Sequence, residues 1–139
     1  MSQALRSVAA VAVGLILLSV VVESVEFGLV TIAHGATTTD PVTYFGVRNR
    51  AWFLAAKLAY NTAAAVLAGY VTARLAGRAR VAHGFALAVV QTAAFAWALA
   101  NVEMRKWTPD WMWFALMVLT FAGILIGARL QMRRRSAIS

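Results

Sequence analysis

Four apolar runs, at about 8–33, 51–74, 84–102 and 111–130, divide this chain, and each approaches the roughly 20 residues a bilayer requires. Backbone groups in lipid must be satisfied within the segment, which leaves helices or closed barrels. A barrel would need many short alternating segments, and the sequence has none. The chain is 62% hydrophobic and 13% charged, with a mean hydropathy of +0.74. A soluble domain has roughly 45–50% apolar residues. The expected fold is therefore all-α: one transmembrane domain over 1–139, an antiparallel bundle of four transmembrane helices. The first run is far longer than the about 7–15 apolar residues of a signal peptide, so it reads as a retained signal-anchor helix.

Arginine and lysine orient the runs. Arg6, Arg74, Arg78, Arg80, Arg129, Arg133, Arg134 and Arg135 fall on one side; Arg48, Arg50, Arg105 and Lys106 fall on the other. By the positive-inside rule both termini are expected on the cytoplasmic side. The net charge of +8 is spread over the ends of the runs. It reads as topology and attraction to anionic lipid, with the bilayer as partner and no nucleic acid.

Against this background Glu23 and Glu26 stand out inside the first run, and Lys57 inside the second. An ionised side chain at mid-span costs about 2.5–3.5 kcal/mol on insertion scales, so each is a candidate functional group. With a rise of 1.5 Å per residue, Glu26 and Lys57 both lie roughly 10–12 Å deep, and Glu23 and Asn61 roughly 16 Å deep. Gln91 and Thr120 come to about the same level from the third and fourth runs. The expectation is a mid-membrane polar cluster of Glu23, Glu26, Lys57, Asn61, Gln91 and Thr120. In it Glu26 pairs with Lys57, and a protonated Glu23 bonds to Asn61 or Gln91.

Two further patterns concern packing. Ala65, Gly69, Ala73 and Gly77 recur every four residues in phase with Lys57 and Asn61, and Gly123 and Gly127 form a GxxxG. Small residues at this spacing let helices approach closely. All five tryptophans (Trp52, Trp97, Trp107, Trp111 and Trp113) fall near the expected outer ends of runs. They read as interfacial anchors or as an outer aromatic surface. The segment 34–50 is the one substantial outer loop, with a turn-forming stretch at Thr37 to Pro41.

Catalytic chemistry finds little support. There is no cysteine. Ser19 and Ser24 lack a base with an orienting group. His34 and His83 belong to opposite ends. The Glu23-x-x-Glu26 pair resembles the paired carboxylates of iron permeases and other cation carriers, but two ligands do not complete a site. No metal, cofactor or enzymatic activity is expected.

The layout resembles small multidrug transporters in architecture, although the first loop is longer and the ends richer in arginine. Residues 6–14 (RSVAAVAVG), 69–78 (GYVTARLAGR) and 127–135 (GARLQMRRR) are similar to landmarks of small, uncharacterised four-span bacterial inner-membrane proteins. That resemblance implies the four-span layout and carries no chemistry. The function expected is a non-enzymatic membrane protein that assembles with itself or as an accessory subunit of a larger membrane complex. The alternative is a small proton-coupled transporter or channel built on Glu23, Glu26 and Lys57.

Overall fold

The computed structural model describes residues 3–136, with side chains to Arg133; the side chains of Arg134 and Arg135, counted above, lie outside the described part. Six helices follow one another among the described residues: α1 (Gln3–His34), α2 (Pro41–Arg48), α3 (Ala51–Ala76), α4 (Arg80–Ala100), α5 (Val102–Arg105) and α6 (Asp110–Ser136). Four of them, α1, α3, α4 and α6, are long and apolar enough to cross a membrane. No strand occurs among the described residues.

The long helices outrun the apolar runs. α1 begins at Gln3, α4 at Arg80, and α6 continues to Ser136. Arginine and glutamine are good helix formers, so the helix does not stop where the hydrophobicity does. Its stops are local. Gly35 and Gly77 take positive φ (88° and 73°) directly after α1 and α3, where a side chain would be strained. Arg6 adds to the second stop: its Nε donates to the Leu75 carbonyl at 3.0 Å, a cation at a helix C-terminus. Gly77 is therefore a helix terminator beside Arg6, not the last member of a small-residue packing stripe.

α2 was not foreseen. Asp40 accepts from the Thr43 amide at 2.8 Å and Pro41 occupies the first helical turn, the usual chemistry of a helix start. Two turns of helix thus replace half of the expected loop.

Packing contacts give the arrangement. α1 runs opposite to α3, since Arg6 meets Leu75 and Glu26 meets Lys57. α4 runs opposite to α6, with Phe85 on Phe121 and Phe95 on Trp113. The most extensive contact, however, joins α3 and α6, which run the same way. A Cβ on Gly69 would lie 2.0 Å from the Ile124 carbonyl oxygen, and one on Gly127 would lie 1.9 Å from that of Val66. Gly123 faces Ala65 and Thr62. The two small-residue patterns read from the sequence are thus partners of each other. Ala65 and Ala73 are fully buried within the fold.

α1 packs on α3 and α4. Its buried residues are Ala10, Gly14, Leu18, Glu26 and Val30, a stripe at four-residue spacing. Gly14 sets the approach, because a Cβ there would sit 1.9 Å from the Thr72 hydroxyl.

Candidate functional site: a buried ionic hub

Glu26 sits on the inward stripe of α1 and is 4% exposed; Arg48 and Lys57, each 8% exposed, close on it from α2 and α3. Arg48 Nη1 donates to Glu26 Oε1 at 3.3 Å, and Lys57 Nζ forms an ion pair with Oε2. Two phenols complete the shell. Tyr60 donates to Oε2 at 2.9 Å and Tyr44 to Oε1 at 3.4 Å. An ionised carboxylate has about four acceptor sites. Each Glu26 oxygen has two donors, so the group is saturated.

Arg48 carries the hub across the molecule. Its Nη2 donates to the Trp107 carbonyl at 3.0 Å and to the Thr108 hydroxyl. Its guanidinium lies 4.3 Å over the Phe45 ring, which stacks on Trp107 at 4.8 Å. Asn49 donates to the same Trp107 carbonyl at 3.0 Å. One side chain of α2 therefore ties α1 to the connection between α5 and α6. Burial, followed by the charges of Glu26 and Glu23, pushes the Tyr44 hydroxyl up to about 12. It therefore remains a donor at neutral pH.

Charge does not balance within the hub: one carboxylate faces two cations. Such a network is a weak source of net stability compared with apolar packing. Breaking it, by contrast, strands a buried charge at a cost of about 3–5 kcal/mol.

The other expected members are elsewhere. Glu23 is exposed on α1 and makes no hydrogen bond or ion pair among the described residues. Asn61 is buried, but its amide donates to the Lys57 carbonyl of its own helix at 2.9 Å, so it is not a partner for Glu23. Gln91 is half-buried, with no bond to either glutamate. The Thr120 hydroxyl is buried with no partner among the described residues. The described residues form no continuous polar layer, because matched depth does not bring side chains to the same side of their helices.

The tryptophans divide as well. Trp52, Trp97 and Trp111 are exposed, whereas Trp107 stacks within the hub and Trp113 packs against Phe95. Three of the five are thus available as a surface. His34 is exposed at the end of α1, and His83 lies near the opposite end with Nδ1 3.0 Å from the Ala79 carbonyl.

Arg48, Tyr44 and Tyr60 were missed as site residues. Tyr60 had a signal: it lies three residues from Lys57, on the same face. Tyr44 and Arg48 needed α2, whose signal was Asp40 followed by Pro41.

Fold and site together define a class: an all-helical protein with four helices suited to crossing a membrane, fastened near one end by a buried ionic hub. Compared with protein-family models, curated proteins and solved structures, the chain matches none.

Proposed function

We propose that this protein is a non-enzymatic, multi-pass inner-membrane protein, a four-helix bundle with both termini in the cytoplasm, that assembles laterally through α1. The partner is a second copy or another membrane subunit. The distribution of arginine and lysine, eight to four, supports the orientation. The ionic hub then serves as an internal fastening.

The observation that carries the assembly reading is the outward carboxyl of Glu23. A charge facing lipid at that depth costs about 2.5–3.5 kcal/mol, and a donor on a neighbouring helix would remove the cost. Its surroundings suit a helix contact. Val13, Ile16, Val20, Glu23 and Phe27 are all exposed and alternate in steps of three and four, the spacing of a helix-packing seam. A single polar group in such a seam fixes register. The small-residue patterns of α3 and α6 offer no such seam, since they are occupied with each other.

Affinity isolation of the protein from its native membrane tests the reading. Stoichiometric recovery of a second copy or of a defined membrane subunit is expected, diminished by Glu23→Gln. Recovery of monomer alone would overturn it.

A proton-coupled transporter remains the second reading, favoured by the exposed carboxyl of Glu23 one helical turn from the buried Glu26–Lys57 ion pair. Proton or cation flux into vesicles containing the purified protein, lost in Glu23→Gln, would establish it in place of the first.

A further inference from the structure

Among the described residues, the end opposite the hub carries no acidic side chain. Glu23, Glu26, Asp40, Glu103 and Asp110 are the five acidic residues, and all belong to the hub half. Arg6, Arg74, Arg78 and Arg80 occupy the other end, with Arg129 and Arg133 on the last turns of α6.

At that end α1 and α4 stand apart. An open groove of about 490 Å³ runs between Val8, Val11 and Ala12 on α1 and Ala82 and Ala86 on α4. Its polar residues are Ser7 and His83, both nearest the arginines and both bonded to their own helices. The remaining wall is aliphatic. Arg6 precedes Ser7 directly, and its guanidinium lies against Gly77. Arg80 shares the wall of an adjoining groove with the same Gly77 and with Ala82. The Arg80 Nε is shielded from solvent and has no hydrogen-bond partner among the described residues. An apolar channel therefore opens beside Arg80, and Arg6 reaches the shared Gly77 from the α3 side; no acidic side chain among the described residues of this end offsets their charge.

We infer that this groove binds one acyl chain of an anionic phospholipid, with the lipid phosphate held by Arg80 and Arg6. The charge complementarity is one-sided in the way a negative headgroup requires. An arginine fork also matches phosphate oxygens two at a time. Basic pockets between membrane helices on the cytoplasmic side are suited to such headgroups.

The test uses the full chain, purified and equilibrated with mixed phosphatidylglycerol and phosphatidylcholine, with native mass spectrometry reading the lipid retained. The wild type is expected to retain phosphatidylglycerol in preference. Arg80→Gln should lower that preference about fivefold, the equivalent of about 1 kcal/mol per basic residue at the surface. Ala86→Trp fills the groove without altering charge and should lower retention as well. Should that variant lose its helical signal, Val8→Trp narrows the groove from the opposite wall. Arg129→Gln, which removes the same charge from α6, should leave retention unchanged. Equal retention of the two lipids would overturn the inference. So would full retention with the groove filled, which would mean attraction by charge alone, or an equal loss in Arg129→Gln.

Discussion

Glu26 and Glu23 stand three residues apart on α1 and meet opposite surroundings. Glu26 lies on the buried stripe and has four donors, whereas Glu23 is turned outward and has none among the described residues. The stripe advances in fours, from Ala10 through Gly14 and Leu18 to Glu26 and Val30. A step of three leaves it. Residue type and depth are nearly the same for the two acids, so the helix face decides which becomes structural and which is left for a partner.

Replacing the inward acid should have the largest effect. Glu26→Ala strands Arg48 and Lys57 together and is expected to cost about 3–5 kcal/mol in a reversible unfolding titration. A value near zero would mean that the hub does not fasten the fold. Gly14→Val tests the same stripe by steric means, because the new Cβ meets the Thr72 hydroxyl. A loss of about 1–3 kcal/mol is expected, partly restored when Thr72→Ala is added.

Tyr44→Phe removes one donor to Glu26 and should cost about 1 kcal/mol at neutral pH. It also alters the alkaline limb of the stability curve. In the folded protein the Tyr44 hydroxyl is pushed up to about 12, so the folded state keeps its proton after the unfolded chain has lost it. That stabilisation is complete below about pH 10 and disappears as the pH rises towards 12. Stability measured across that interval should fall less steeply in Tyr44→Phe than in the wild type. Glu23→Gln should have the smallest effect on unfolding, within about 0.5 kcal/mol, as for substitutions away from packed features. Its effect is expected on assembly instead.

The long helices were legible because four apolar runs of bilayer length admit few alternatives. Depth counting also brought Glu26 to Lys57, since helix rise is regular. It failed for Glu23, Asn61, Gln91 and Thr120, because depth gives height in the membrane but not the direction in which a side chain points. Arg48 was hidden for another reason: charge counting treats a loop arginine as a solvated marker, and the helix that turns it inward is only two turns long, too short to show as an apolar run. In the sequence, the small-residue patterns on α3 and α6 mark faces that admit close helix packing. The sequence shows that each permits close approach, but only packing shows that they meet each other.

The account rests most heavily on the outward face of α1, and the absence of native cysteine makes it accessible to disulfide crosslinking. Ile16 lies two turns from Glu23 on the same face, and Val118 is comparably exposed on α6. Single cysteines at the two positions, oxidised in native membranes, should give a discrete crosslinked species for Ile16→Cys and little for Val118→Cys. Adding Glu23→Gln should weaken the α1 crosslink. Equal yields at both positions would contradict assembly through α1, and an uncrosslinked monomer at Ile16→Cys would exclude a second copy as the partner.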